Sequence, residues 1–221
     1  MIGSELLRYR LDTQKVCVID TETEGLALAY SRPWQVSYGV GTLRALEAVS
    51  VRHVNWPGLD VSPEAAQVTR FNMADHLRIA EEPSAVVGDL DTYLFDPDYL
   101  IIWQNGLGFD AYILDILRQA AGRPQDWSYM PRTLDTMCLS KAYRLSVTPS
   151  GDRLAWQYKL LHEKLSKKKV EGDPKRGGGV SLGAMCKYFN IEYDPMRAHD
   201  ASYDCRCTHL LLGQLIWQIE I

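Results

Sequence analysis

Val16-Cys17-Val18-Ile19-Asp20-Thr21-Glu22-Thr23-Glu24-Gly25-Leu26 is the stretch on which the fold of this chain turns. Lys15 to Ile19 is a short, mostly β-branched run, and such a run reads as a buried strand. It ends in Asp20 and Glu22, two positions apart, so on a strand both carboxylates leave the same face. Gly25 then lets the chain turn away sharply. Two hard oxygen donors at a strand end suit Mg²⁺ or Mn²⁺. Taken alone, the pair is a weak signal and more often marks surface acids at a strand terminus.

Two later segments change that balance. Leu100-Ile101-Ile102-Trp103-Gln104-Asn105-Gly106-Leu107-Gly108-Phe109-Asp110 is an apolar run, a glycine-rich turn and an acid at a helix start. His199-Asp200-Ala201-Ser202-Tyr203-Asp204 places a histidine five residues before another acid. On one continuous helix that step would put the two side chains well apart around the axis. A histidine in the preceding loop or first turn would face the same site as Asp204. Imidazole there suits removal of a proton from water. Asp20 and Asp204 are 184 residues apart, so only a fold can bring these groups together.

Bulk properties set the class. The 221 residues suffice for a substantial core, and 46% apolar with 24% charged residues is ordinary for a globular protein. No apolar run approaches the ~18 residues of a membrane span. Met1 to Arg10 carries Glu5 and no apolar h-region, so no secretory leader is expected. Five cysteines without framework spacing favour reduced thiols and a cytoplasmic location. Cys205 and Cys207 lack a second ligand pair and read as structural thiols rather than zinc ligands. The net charge of −4 hides an asymmetry: residues 141–179 hold ten Lys or Arg against four acids, leaving the rest at −10. A basic segment on an acidic body fits a polyanion meeting a carboxylate-rich site, and it fits a solvated loop as well.

Strands are expected at Lys15 to Ile19, Trp34 to Val40, Leu46 to Val54 and Tyr99 to Trp103. A helix start is expected at Ser62-Pro63-Glu64, with serine as N-cap and proline in the first turn. Helices are expected over Val86 to Phe95, Phe109 to Ala121, Leu134 to Leu145, Leu154 to Leu165, Ser181 to Phe189 and Asp200 to Ile219. Strands first, then strand–helix alternation, argue for one α/β or α+β layered domain over residues 1–221. The region 141–179, ending in Gly177-Gly178-Gly179, reads as a basic, partly flexible insertion.

With these residues in view, the three segments resemble, in order, the three exonuclease motifs of the DnaQ-like 3′–5′ exonucleases. His199, five before Asp204, matches the DEDDh branch; the sister branch has tyrosine four before, where this chain has Asp200. Trp34 to Val40, Val61 to Ala65, Leu134-Asp135-Thr136 and Val180 to Cys186 resemble intervening elements of the family. The likeness covers roughly residues 14–217 apart from the insertion. The Asn105-to-Asp110 step is one residue longer than usual, and the insertion is longer and more basic than in compact members.

The resemblance implies a ribonuclease H-like exonuclease fold, α/β, with a mixed five-stranded sheet flanked by helices. It implies phosphodiester hydrolysis with two Mg²⁺ or Mn²⁺, held by Asp20, Glu22, Asp110 and Asp204, with His199 as general base toward water. Nucleoside 5′-monophosphates would leave from single-stranded 3′ ends, DNA first and RNA second. Thr21, Thr23 and Leu26 would cradle the terminal nucleotide, and Asn105 would order the turn or touch substrate. Phe109 or Trp34 would stack on a base, though each also fits core packing. Lys167, Lys168 and Lys169 are expected to grip the polyanion. A proofreading subunit acting in trans with a DNA polymerase, an RNA-processing exoribonuclease and a non-catalytic nucleic-acid-binding module are the competing readings. No membrane association is expected.

Overall fold

The computed structural model describes residues 12–165 and 179–219. Its centre is a mixed sheet of five strands: β1 (Lys15–Thr23), β2 (Pro33–Thr42), β3 (Leu46–His53), β4 (Tyr99–Trp103) and β5 (Thr133–Asp135), in the order β3-β2-β1-β4-β5. β1, β2 and β3 form an antiparallel meander, whereas β4 and β5 add to β1 in parallel. The expected mixed five-stranded sheet flanked by helices is what the chain forms.

Between β3 and β4 lie α1 (Pro63–Thr69), α2 (Met73–Ile79) and α3 (Pro83–Leu94), between β4 and β5 lies α4 (Asp110–Ala120), and after β5 come α5 (Thr136–Leu145), α6 (Arg153–His162), α7 (Leu182–Tyr188) and α8 (Ala201–Ile219). Capping follows from sequence: Ser62 and Asn72 accept the amides of Ala65 and Asp75 and start α1 and α2. α8 packs across β1, β2 and β3, while α3 and α4 pack on each other. No helix among the described residues is long and apolar enough to cross a membrane.

β1 is the middle strand and helices α8 and α4 pack on it, so Val16 to Ile19 are all buried. Its pairing with β4 stops at Val18↔Ile102, while pairing with β2 continues past Glu22↔Gln35. The end of β1 therefore projects beyond β4, and the turn after β4 fills the gap. That divergence opens a cleft beside Asp20 and Glu22.

Two expectations change. Leu134 and Asp135 belong to a strand, because Asp135 caps α5 and its backbone pairs with Trp103. Residues 141–165, the described part of the expected insertion, are not all solvated loop, because hydrophobic burial fixes α6 against the core through Trp156 and Leu160. Gln157, also buried, donates to the Thr133 carbonyl and accepts the Asp135 amide. Several of its cations are engaged internally. Lys141 donates to the Leu161 carbonyl at 2.6 Å, Arg153 to Pro131 at 2.6 Å, and Arg144 lies 4.1 Å over the Tyr188 ring. Lys167, Lys168 and Lys169 lie outside the described residues.

Candidate active site

The cleft at the end of β1 has a volume of about 570 Å³. Asp20, Thr21, Glu22, Thr23 and Leu26 line it from β1 and the loop beyond, Asn105, Phe109 and Asp110 from the turn after β4, and His199 and Asp204 from the start of α8. Three elements far apart in sequence thus converge as the motifs implied. Gln104, Met137, Ser181, Leu182, Gly183 and Tyr193 also line it and were not foreseen.

Each wall has a local cause. The Asn105 backbone is left-handed at φ 67°, a conformation asparagine tolerates better than most residues. A Cβ on Gly106 would sit 2.3 Å from Trp103 Cγ, so glycine is needed for the turn to close over that ring. Asp135 then holds the turn from below. Its Oδ1 accepts the amides of Asn105 at 3.0 Å, Met137 at 2.9 Å and Cys138 at 3.4 Å, and its Oδ2 accepts Leu107 at 3.0 Å. The turn delivers Asp110 to the first position of α4, where Asp110 Oδ1 accepts the Thr21 amide at 3.0 Å and its hydroxyl at 2.7 Å.

On the opposite wall Asp200 caps α8, its Oδ1 accepting Ser202 N, Ser202 Oγ and Tyr203 N. His199 precedes the cap at φ 62°, and its amide donates to Asp204 Oδ2 at 2.9 Å. The outer loop is fixed by Glu24, which accepts from Arg32 Nε and from the Asp60 amide, each at 2.8 Å. Leu26, 86% exposed, stands out from that loop at the cleft mouth.

Trp34 does not join them. Its ring is 4% exposed and packs edge-on against His53, Phe71 and His76, so it is a core residue with no face for a base. Its partners come from β3, α2 and the link before α2, and no local pattern brings them to mind.

Electrostatics give the cleft its chemistry. Burial first, then repulsion from Asp110, Glu22 and Asp204, holds Asp20 well above the usual carboxylate range. Burial and its acidic neighbours push Glu22 up to about 9. Burial raises Asp110 and Asp204 to about 6 each, opposed at Asp110 by the Thr21 hydrogen bonds. Burial and then the nearby Arg70 charge lower the His199 pKa, which favours the neutral imidazole. Among the described residues, no Lys or Arg lines the cleft.

These residues fit a hard divalent cation. Donor atoms of Glu22, His199 and Asp204 all lie within 4.8 Å of one another. Asp204 Oδ1 is buried without a hydrogen-bond partner, an arrangement that an ion would complete. Asp20 and Asp110 add carboxylates to the same cleft.

No family model matches the sequence, and no curated protein does. Solved structures do match. The zinc-bound complex of Escherichia coli exonuclease I with single-stranded DNA superposes with a TM-score of 0.68 at 17% identity, over 91% of this chain and 40% of that one. The E. coli exonuclease I complex with a dT13 oligonucleotide gives 0.69 at 16% identity, over 93% and 42%. The complex with dA16 gives 0.71 at 16% identity, over 93% and 41%. The chain has the ribonuclease H-like fold of exonuclease I. It spans about two fifths of the length of the exonuclease I structures it matches.

Proposed function

We propose that this chain is a metal-dependent 3′–5′ exonuclease that hydrolyses phosphodiester bonds at single-stranded 3′ ends and releases nucleoside 5′-monophosphates. The observation that carries this reading is the convergence of Asp20, Glu22, Asp110, Asp204 and His199 on one cleft, with a buried Asp204 oxygen left without a partner. DNA is the first substrate, supported by the single-stranded DNA held in the exonuclease I structures of the same fold. RNA is the second.

Divalent cations, held by Asp20, Glu22, Asp204 and Asp110, would supply Lewis-acid stabilisation of charge on the phosphoryl group and activate water. The protein's own groups do the rest. His199, kept neutral by burial and Arg70, accepts the proton of the attacking water as its oxygen bonds to phosphorus. The 3′-oxygen of the preceding nucleotide leaves with the electrons of the broken P–O bond. Thr21 fixes Asp110 through two hydrogen bonds, so its free oxygen keeps one aim. Leu26 and Phe109 offer apolar faces to the terminal base, and Asn105 and Thr23 offer polar groups beside it.

The test uses 5′-labelled single-stranded DNA, duplex DNA and RNA, each with Mg²⁺, Mn²⁺ or chelator. Metal-dependent shortening from the 3′ end is expected, strongest on single-stranded DNA. Asp20→Ala and His199→Ala should each lower the rate at least ~100-fold. Undiminished activity in either pure variant overturns the assignment.

A further inference from the structure

Arg70 ends α1 in the left-handed conformation at φ 57°, its amide donating to the Ala66 carbonyl. Glycine adopts that backbone freely, and an arginine does so only against steric resistance. Its side chain has a long-range use: the guanidinium Nη2 donates to the Met196 carbonyl, 126 positions away. Met196 sits in the 3₁₀ turn Pro195–Arg197, directly before Ala198 and His199.

Among the described residues, that turn is otherwise held by hydrogen bonds within itself and to the start of α8. Asp194 Oδ1 accepts the Met196 amide at 2.9 Å, Arg197 reaches Asp200, and the Asp194 amide meets the Tyr203 hydroxyl at 2.6 Å. His199 itself bonds to Asp204. Among the described residues, every other hydrogen bond of residues 194–200 stays within 194–204. His199 meanwhile holds a left-handed backbone of its own at φ 62°, which a loose loop would relax.

The geometry points to Arg70 as a positioning residue that clamps the Met196 carbonyl and so fixes where His199 stands over the cleft. This rests on the nuclease reading for its catalytic consequence, though not for the clamp itself. Arg70→Gly separates the two consequences, because it removes the guanidinium while relieving the backbone. A melting temperature no lower than wild type is expected, with KM for 5′-labelled single-stranded DNA unchanged and kcat lower on the order of tenfold or more. Arg70→Lys, which keeps a charged donor, should recover much of kcat. Exchange of the amides of residues 196–199 should quicken in Arg70→Gly, and stay as in wild type in Arg78→Ala, an exposed pair partner of Asp75.

A raised KM with unchanged kcat overturns the proposal, since Arg70 would then hold substrate. Unchanged amide exchange in Arg70→Gly overturns it as well. Wild-type protein inactive on all three nucleic acids would sink the nuclease reading alone, and amide exchange would still decide the clamp.

Discussion

Replacing Asp135 by asparagine should loosen the turn that carries Asn105, Phe109 and Asp110, although Asp135 does not itself line the cleft. The carboxylate is fully buried and accepts four backbone amides, three on Oδ1 and the Leu107 amide on Oδ2. Asparagine has one acceptor oxygen. Its better rotamer keeps the oxygen toward Asn105, Met137 and Cys138 and turns its NH₂ toward the Leu107 amide, donor against donor. One charge-assisted hydrogen bond is lost, and a buried N–H is left unmade at a residue with no exposure. Together these cost about 3 kcal/mol, or roughly 6–12 °C in melting temperature for a chain of this size.

Thermal and urea unfolding read that magnitude, and amide exchange at Leu107 reads its location. Because the turn delivers Asp110 to its bonds with Thr21, turnover should fall by about tenfold alongside. A stability change below about 1 kcal/mol with Leu107 still protected would refute the reasoning. The Asp135 carboxylate would then not be what holds the turn.

Divalent cations should stabilise the protein, and more so at higher pH. Glu22 near 9 and Asp110 and Asp204 near 6 hold protons more tightly folded than unfolded, so without cation stability falls as pH rises from about 5 to about 9. Excess Mg²⁺ or Mn²⁺ replaces those protons and should reverse the fall, and a melting temperature indifferent to cation at about pH 8 would contradict this. Replacing Lys167, Lys168 and Lys169 by alanine should weaken binding of single-stranded DNA and lower its salt slope by up to about two. An unchanged slope would return that segment to a solvated role.

The site was legible in the sequence where each motif carried its own punctuation. Val16 to Ile19 before Asp20, Gly106 and Gly108 before Asp110, and His199 before Asp204 are local patterns, and each residue so marked lines the cleft. Residues that act from below were not marked in this way. Asp135 read as part of a helix, because Leu134 and Cys138 to Leu145 share helical spacing. An acid followed by threonine and a buried helix is nonetheless an N-cap signature that would have moved the boundary. α2 escapes for the opposite reason, its Asn72 cap lying in a stretch with little apolar periodicity. Trp34 failed differently: nothing in β2 shows that His53, Phe71 and His76 will close over its ring.

Charge shows the limit of counting most clearly. The excess in residues 141–179 looked like a surface for a polyanion, yet Lys141, Arg144 and Arg153 hold carbonyls or an aromatic ring of the protein itself. The cleft, in turn, is lined among the described residues by four carboxylates and by no Lys or Arg. A phosphodiester entering there would meet repulsion unless cations reverse the local sign, and buried carboxylates are where a divalent ion gains most over water. Metal and polyanion should therefore each tighten the binding of the other by the same factor, as linkage requires. On this view the acidic cleft sets how strongly substrate affinity depends on metal, while cations outside the cleft set how steeply it depends on salt.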